Sequence, residues 1–299
     1  MTAQLRNGSC ADQRVEGMNP VPRRRSPEAL DVVVDVRVWL AVICGAAAGL
    51  TYFVTAWTAA GQVWDQRVFL FARSELSVLP VPAWARIPWV SSPVLWIGVA
   101  VLVTVFGVVG GLRWRTTLYL AFPPGMILLA RVLRLAVLER PELAGAAGWA
   151  ADNAAPSGHA TAAAATAVVL TMAAPRAVRP WIAVVSAGWV TLIGVQLIVA
   201  GWHRPGDIVL AILLVGAFSA VLPRPRTAAS PAMVLLITAV AGIAAGVLAV
   251  WATVGADGLG PKTTQAFGLV AVCAGVVVSA VPGPGRSRLG PRGATNRGR

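Results

Sequence analysis

The chain contains two histidines, and each stands in a short segment rich in groups suited to phosphate chemistry. His159 ends Asn153-Ala154-Ala155-Pro156-Ser157-Gly158-His159 and opens an apolar run at Ala160. His203 lies in Gly201-Trp202-His203-Arg204-Pro205-Gly206-Asp207, with a carboxylate four residues on. A third segment carries Arg131, Arg134 and Arg140, the last followed by Pro141. Guanidinium groups stay charged and bind phosphate oxygens bidentately. Ser157 is suited to cap a helix, Gly158 admits a ligand close to the backbone, and free N–H groups at a helix start attract an anion. Imidazole exchanges protons near neutral pH. Asp207, one helical turn beyond His203, is spaced to orient that ring and stabilise its cation.

Each piece also has a plainer account. The arginines read alone are snorkelling residues that mark a helix end, Ser157 is an ordinary cap, and a single histidine at an interface needs no function. Two histidines that both begin or end apolar runs beside arginine fit chemistry better than coincidence.

The elements that must position these residues are membrane helices. The 299 residues are 57% hydrophobic and only 12% charged, with a mean hydropathy of +0.72, where a soluble domain carries about 25% charge. Several apolar runs are long enough to cross about 30 Å of hydrocarbon. The net charge of +13 does not point to nucleic acid, because the basic residues sit in tails and short loops rather than on a soluble domain. Cys10, Cys44 and Cys273 are too scattered for a disulfide framework or a metal site. No cofactor and no metal is expected. No secretory leader is expected, because mostly polar residues precede the first apolar run.

Eight spans are expected, making an all-α polytopic bundle: about Val38–Ala60, Pro93–Leu112, Thr116–Leu138, Ser157–Pro175, Pro180–Trp202, Asp207–Leu222, Met233–Val254 and Gln265–Val281. Residues 1–37 form a polar cytoplasmic tail, 38–222 a six-span core, 223–282 two further spans, and 283–299 a basic Gly/Pro/Arg-rich tail. Gly45 and Gly49 have helix-packing spacing, and Pro123-Pro124-Gly125 should kink the third span. Residues 61–90 alternate aromatic and charged side chains and read as an interfacial loop or helix at the outer headgroups. That segment anchors to lipid or covers a lipid entrance.

Both ends of an eight-span chain lie on one side. Seventeen of the 25 Lys and Arg fall in the two tails and the loops at 113/115, 176/179 and 224/226, so that side is expected to be cytoplasmic. Arg131 lies about 24 Å of helix rise beyond Arg115, so Arg131 and Arg134 are near the opposite surface. The arginine segment, His159 and His203 are therefore all placed on the extracytoplasmic face of a multi-pass protein of the cell membrane.

Arg140-Pro141, Pro156-Ser157-Gly158-His159 and His203-x-x-x-Asp207 resemble the three signature motifs of the type 2 phosphatidic acid phosphatase superfamily, which also contains vanadium haloperoxidases. The resemblance is dense over about Arg131–Ile208 and matches the membrane lipid-phosphatase branch. It implies a metal-independent hydrolase of phosphomonoesters or pyrophosphates. His203 would attack phosphorus and form a phosphohistidine, Asp207 would orient it, and His159 would protonate the leaving oxygen and then activate water. Arg134, Arg140, Ser157 and Gly158 would hold the phosphate oxygens and stabilise the transition state.

Two positions depart from the pattern. The first motif's lysine falls at Leu133, and Arg134, one residue on, is the expected substitute. The arginine six residues before the third motif's histidine is Leu197, preceded by Gln196 in place of serine. Arg204 or Arg131 is the expected replacement cation. The loss of one such donor typically costs about 10²–10³ in rate. The outward site suits a lipid such as phosphatidic acid, phosphatidylglycerol phosphate, or a polyprenyl phosphate or diphosphate. Two other readings stay open: a catalytically weakened lipid-phosphate binder, motivated by Leu197, and a lipid transporter. Transport usually places ionisable groups near the bilayer midplane, whereas here they gather at one edge.

Overall fold

The computed structural model describes residues 36–76, 92–111, 114–143, 145, 152–223, 232–254 and 260–280. Residues 1–35 of the tail expected at 1–37, the tail expected at 283–299, the aromatic residues Trp84 and Trp89, and Arg224 and Arg226 lie outside the described residues. Among the described residues the secondary structure is helical throughout, with nine α-helices. They are α1 (Val36–Trp57), α2 (Ala59–Phe71), α3 (Pro93–Val109), α4 (Trp114–Val132), α5 (Gly158–Ala173), α6 (Arg179–Val199), α7 (Pro205–Phe218), α8 (Ala232–Val254) and α9 (Pro261–Ala280). Every apolar run expected to span becomes a helix within a few residues of its predicted bounds. Among the described residues four stretches are long and apolar enough to cross a membrane: Val38–Trp57, Trp114–Val137, Arg179–Val199 and Thr263–Ala280.

Burial separates the helices into an inner and an outer set. Helices α5, α6 and α7 are almost wholly inside. The alanine run Ala162–Ala165 gives α5 a thin profile, so α4, α6 and α7 all pack against it. Helices α1, α3 and α8 instead present apolar side chains outward, among them Trp39, Ile43, Ile97, Val101, Leu236 and Trp251. So much exposed hydrocarbon is untenable in water, and it fits a membrane protein whose outer helices face lipid.

The last two helices close the inner set from one side. Helix α8 lies on α6, and α9 packs on α6, α7 and α5. Small residues make the approach: a Cβ on Gly242 would stand 3.0 Å from that of Ala187, and one on Gly246 would meet Thr191 Oγ1 at 2.6 Å. Of the pair singled out in α1, Gly45 approaches Ala217 of α7 at 4.0 Å, whereas Gly49 has nothing within 4 Å. Helix α4 continues through Pro123 and Pro124 and widens into a π-helical turn at Leu133–Val137, the turn that carries Arg134.

The segment expected to lie at the headgroups contains a helix with a buried polar face. Thr58 breaks α1 from α2, its hydroxyl accepting the Gly61 N–H at 3.1 Å. On α2, Gly61, Gln62, Asp65, Val68 and Phe69 face inward. These positions are spaced i, i+3/i+4 along one face, and the side turned to protein includes an acid and an amide.

Candidate functional site

Helix α5 begins where Ser157 leaves the extended conformation and its hydroxyl caps the Ala160 N–H at 3.3 Å. The Ser157 carbonyl accepts from the Thr161 N–H and hydroxyl, at 2.9 and 2.7 Å. The Ser157 N–H donates to the carbonyl of Asp207 at 3.1 Å, which fixes the start of α5 to the start of α7. Upstream, the Asn153 side-chain amide donates to the Leu138 carbonyl at 2.7 Å, and its oxygen accepts the Ala155 N–H at 3.1 Å. The loop before His159 is thereby tied to the end of the arginine segment. Replacing Ser157 by alanine removes one cap hydrogen bond and is expected to cost about 1 kcal/mol of stability, read as a lower thermal midpoint in detergent.

Helix α6 ends at Val199, and a turn with Gly201 at φ +69° reverses the chain. A side chain at Gly201 would be strained there and would also strike Arg73 at 2.8 Å. The carbonyl of Leu197 accepts both the Trp202 and His203 N–H groups, at 3.0 and 3.2 Å. Leu197 is fully buried, so the position where the motif comparison expects an arginine supplies a backbone acceptor and a packed side chain. Pro205 opens α7. Asp207 Oδ2 accepts the Arg204 N–H at 3.0 Å and lies 3.6 Å from His203 Nδ1. Both partners are buried.

These constraints bring the two histidines together. Their ring centroids are 6.5 Å apart, with the planes inclined at 60°. The Trp202 ring stands 5.5 Å from His159 on another side. Both histidines line one cavity of about 360 Å³, together with Trp96, Ile127, Arg134, Gly158 and Ala162. A neighbouring cavity of about 350 Å³ shares Ile127, Arg134 and Gly158 and adds Arg131 and Pro156. A Cβ on Gly158 would meet nothing within 4 Å, so the α5 backbone is open to whatever fills this space. An apolar cavity of about 310 Å³ between α3, α4 and α5 shares Trp96 and Ile127 with the histidine cavity.

The arginines divide into two groups. Arg134 lines both polar cavities and Arg131 lines one. Arg140 and Arg204 line neither and are engaged elsewhere. Arg140 Nη1 lies 3.6 Å from Asp65 Oδ2, both side chains being buried. Arg204 Nε donates to Gln66 Oε1 at 3.0 Å, its Nη1 donates to the Asp152 carbonyl at 3.3 Å, and its guanidinium stands 5.8 Å from the Phe69 ring centre. Asp65 Oδ1 accepts the Gly206 N–H at 2.8 Å. Burial raises the Asp65 carboxyl to about 7, and the Asp207 carboxylate adds to the rise; the Gly206 N–H and the Arg140 and Arg204 charges oppose it.

Sequence reasoning placed His159, His203, Asp207, Ser157, Gly158 and Arg134 together, and the fold does bring them together. It missed the α2 residues Gln62, Asp65 and Gln66 and the tryptophans at the cavity, Trp96 and Trp202. The available signal was faint: three polar residues on one face of a short helix amid aromatics. Among the described residues no group of three or more His, Cys, Asp or Glu is arranged to hold a metal ion. Cys44 and Cys273 are free thiols.

The model of the PAP2 superfamily matches residues 135–229. Over that segment the chain is similar to the PAP2 superfamily. The matched stretch runs from the π-helical turn at Leu135 past the end of α7 and contains Arg140, the α5 start and the His203–Asp207 pair. Arg131 and Arg134 precede it, as does all of α2. No curated protein and no solved structure matches the chain. That similarity suggests a phosphatase, and the apolar helices fit a membrane protein.

Proposed function

We propose that this protein is an integral membrane lipid phosphatase that hydrolyses a phosphomonoester or pyrophosphate at the extracytoplasmic face through a phosphohistidine. The observation that carries this reading is the shared cavity: two imidazoles 6.5 Å apart with Arg134 and the open backbone at Gly158 on its wall. That separation is short enough for one phosphoryl group to lie between the rings.

In the proposed reaction the Nε2 lone pair of His203 attacks phosphorus as the ester or anhydride oxygen departs. Asp207, 3.6 Å from Nδ1, holds the ring in the tautomer that leaves Nε2 free and stabilises the cation that forms. His159 donates its proton to the leaving oxygen. It then takes a proton from water, which attacks the phosphohistidine, breaks the N–P bond and releases inorganic phosphate. Arg134 and the N–H groups at the α5 start balance the charge on the equatorial oxygens, and Arg131 reaches a phosphate group in the adjoining cavity. Ser157 fixes that helix start. Arg140 and Arg204 contribute from outside the cavity, through their bonds to α2. No metal takes part in the proposed steps.

The apolar cavity that meets the histidine cavity at Trp96 and Ile127 supports an amphiphilic substrate whose chain runs along α3 and α4. Eight spans with both termini cytoplasmic, inferred from the basic residues, put the cavity at the outer leaflet. The test is phosphate release by the full-length protein in detergent, in the presence of a chelator. The panel comprises phosphatidic acid, phosphatidylglycerol phosphate, polyprenyl phosphate and polyprenyl diphosphate. Turnover of at least one is expected, undiminished by chelation. Silence across the panel would overturn the phosphatase reading.

A further inference from the structure

We propose that Asp65 is a positioning residue of this site, tying the Arg140–Pro141 segment to the first turn of α7 and thereby setting where His203 and Asp207 stand. The inference rests on the phosphatase reading for its kinetic consequence, but its structural content is independent of it.

The first turn of a helix leaves N–H groups without intrahelical partners. At the start of α7 the Asp207 carboxylate satisfies the N–H of Arg204. The Gly206 N–H is satisfied from α2, by Asp65 Oδ1 at 2.8 Å. Gly206 has no room to shift toward α1, because a Cβ there would come within 2.8 Å of Thr55. The next residue is Asp207, whose carbonyl holds the Ser157 N–H and whose carboxylate faces His203. A displacement of Gly206 therefore moves the residues that join α7 to α5 and orient the His203 ring.

The other carboxylate oxygen of Asp65 faces Arg140 at 3.6 Å and has no hydrogen-bond partner among the described residues. A buried carboxylate is costly unless it is paired, and here its partners come from two different segments, the Arg140 loop and the start of α7. Its neighbours on α2 repeat the arrangement. Gln62 donates to the Pro141 carbonyl at 2.6 Å and accepts the Leu143 N–H at 3.1 Å. Gln66 accepts from Arg204 at 3.0 Å. Positions 62, 65 and 66 share one helical face, so α2 grips both segments at once. Asp65 lines neither polar cavity and precedes the PAP2 match; it acts through other residues.

The experiment compares full-length wild type, Asp65→Ala and Asp65→Asn in detergent, with His203→Ala as the inactive control. It reads kcat and KM on whichever panel lipid the wild type hydrolyses, and amide hydrogen exchange across residues 200–210. Asp65→Ala is expected to lower kcat by about 10–100-fold, since small misplacements of reacting groups cost up to about 10², with KM little changed. It is also expected to speed exchange at Gly206 and Asp207 and leave α9 as in wild type. Asp65→Asn keeps an oxygen for Gly206 but loses the charge facing Arg140, so a smaller fall in kcat is expected. If Asp65→Ala does not fold, the isosteric Asp65→Asn carries the test. Wild-type kcat and wild-type exchange in the variant that folds would overturn the proposal. If the wild type releases phosphate from no lipid, the phosphatase reading fails and exchange alone decides: faster opening at Gly206 upholds the brace, and unchanged opening overturns it.

Discussion

Replacing His203 by alanine is expected to lower phosphate release by about 10³-fold or more, the scale on which loss of a nucleophile acts, while the protein stays folded. The fold should survive because His203 contributes little to it. Its Nδ1 stands 3.6 Å from Asp207 Oδ2, and Asp207 keeps the bond from the Arg204 N–H once the ring is gone. The His203 backbone remains held by the Leu197 carbonyl. Acid-quenched wild type incubated with a radiolabelled lipid phosphate should carry acid-labile phosphate, and His203→Ala should carry none. A variant that still turns over and still traps phosphate would move the nucleophile away from His203.

Arg134→Ala is expected to lower kcat/KM by about 10²–10³, the cost of removing one transition-state donor from a water-excluded site. Arg134 is singled out because it lines both polar cavities. Lysine at this position should recover only part of the loss, as a point charge cannot reproduce a bidentate guanidinium. Arg140→Ala provides the contrast. Arg140 is held against Asp65 and lines neither cavity, so its loss should resemble that of Asp65→Ala, with kcat reduced and KM little altered. A wild-type Arg134→Ala beside an inactive Arg140→Ala would mean that Arg140 leaves Asp65 when substrate binds. Steady-state kinetics of the two variants on one lipid distinguish these outcomes.

Much of this site was legible in the chain because its chemistry is concentrated in short segments. Ser157, Gly158 and His159 are consecutive, and a helix that starts at Gly158 must present them at its N-terminus. His203 and Asp207 are four apart across a proline that begins a helix, so their proximity follows from local geometry. The helices themselves were legible because hydrocarbon leaves the backbone few ways to satisfy its hydrogen bonds.

The arginines show where that legibility stops. Arg131, Arg134, Arg140 and Arg204 have the same side chain and lie near the same site, yet two face the cavities and two turn to α2. The choice depends on Asp65 and Gln66, far away in the chain, and on how closely α2 packs against the loops. Leu197 is a similar case: its place in the sequence suggests a missing charge, and its place in the fold is an anchor for the His203 backbone.

The sequence by itself determined the helices, the apolar character that fits a membrane and the three histidine- and arginine-bearing segments, because these depend on hydropathy and on contacts within a few residues. Only the tertiary structure decided which guanidiniums reach the cavities and that a buried acid on α2 joins two of the segments. Those outcomes rest on burial and on charge pairing between distant residues, and a buried charge finds its partner through packing, which spacing along the chain does not encode.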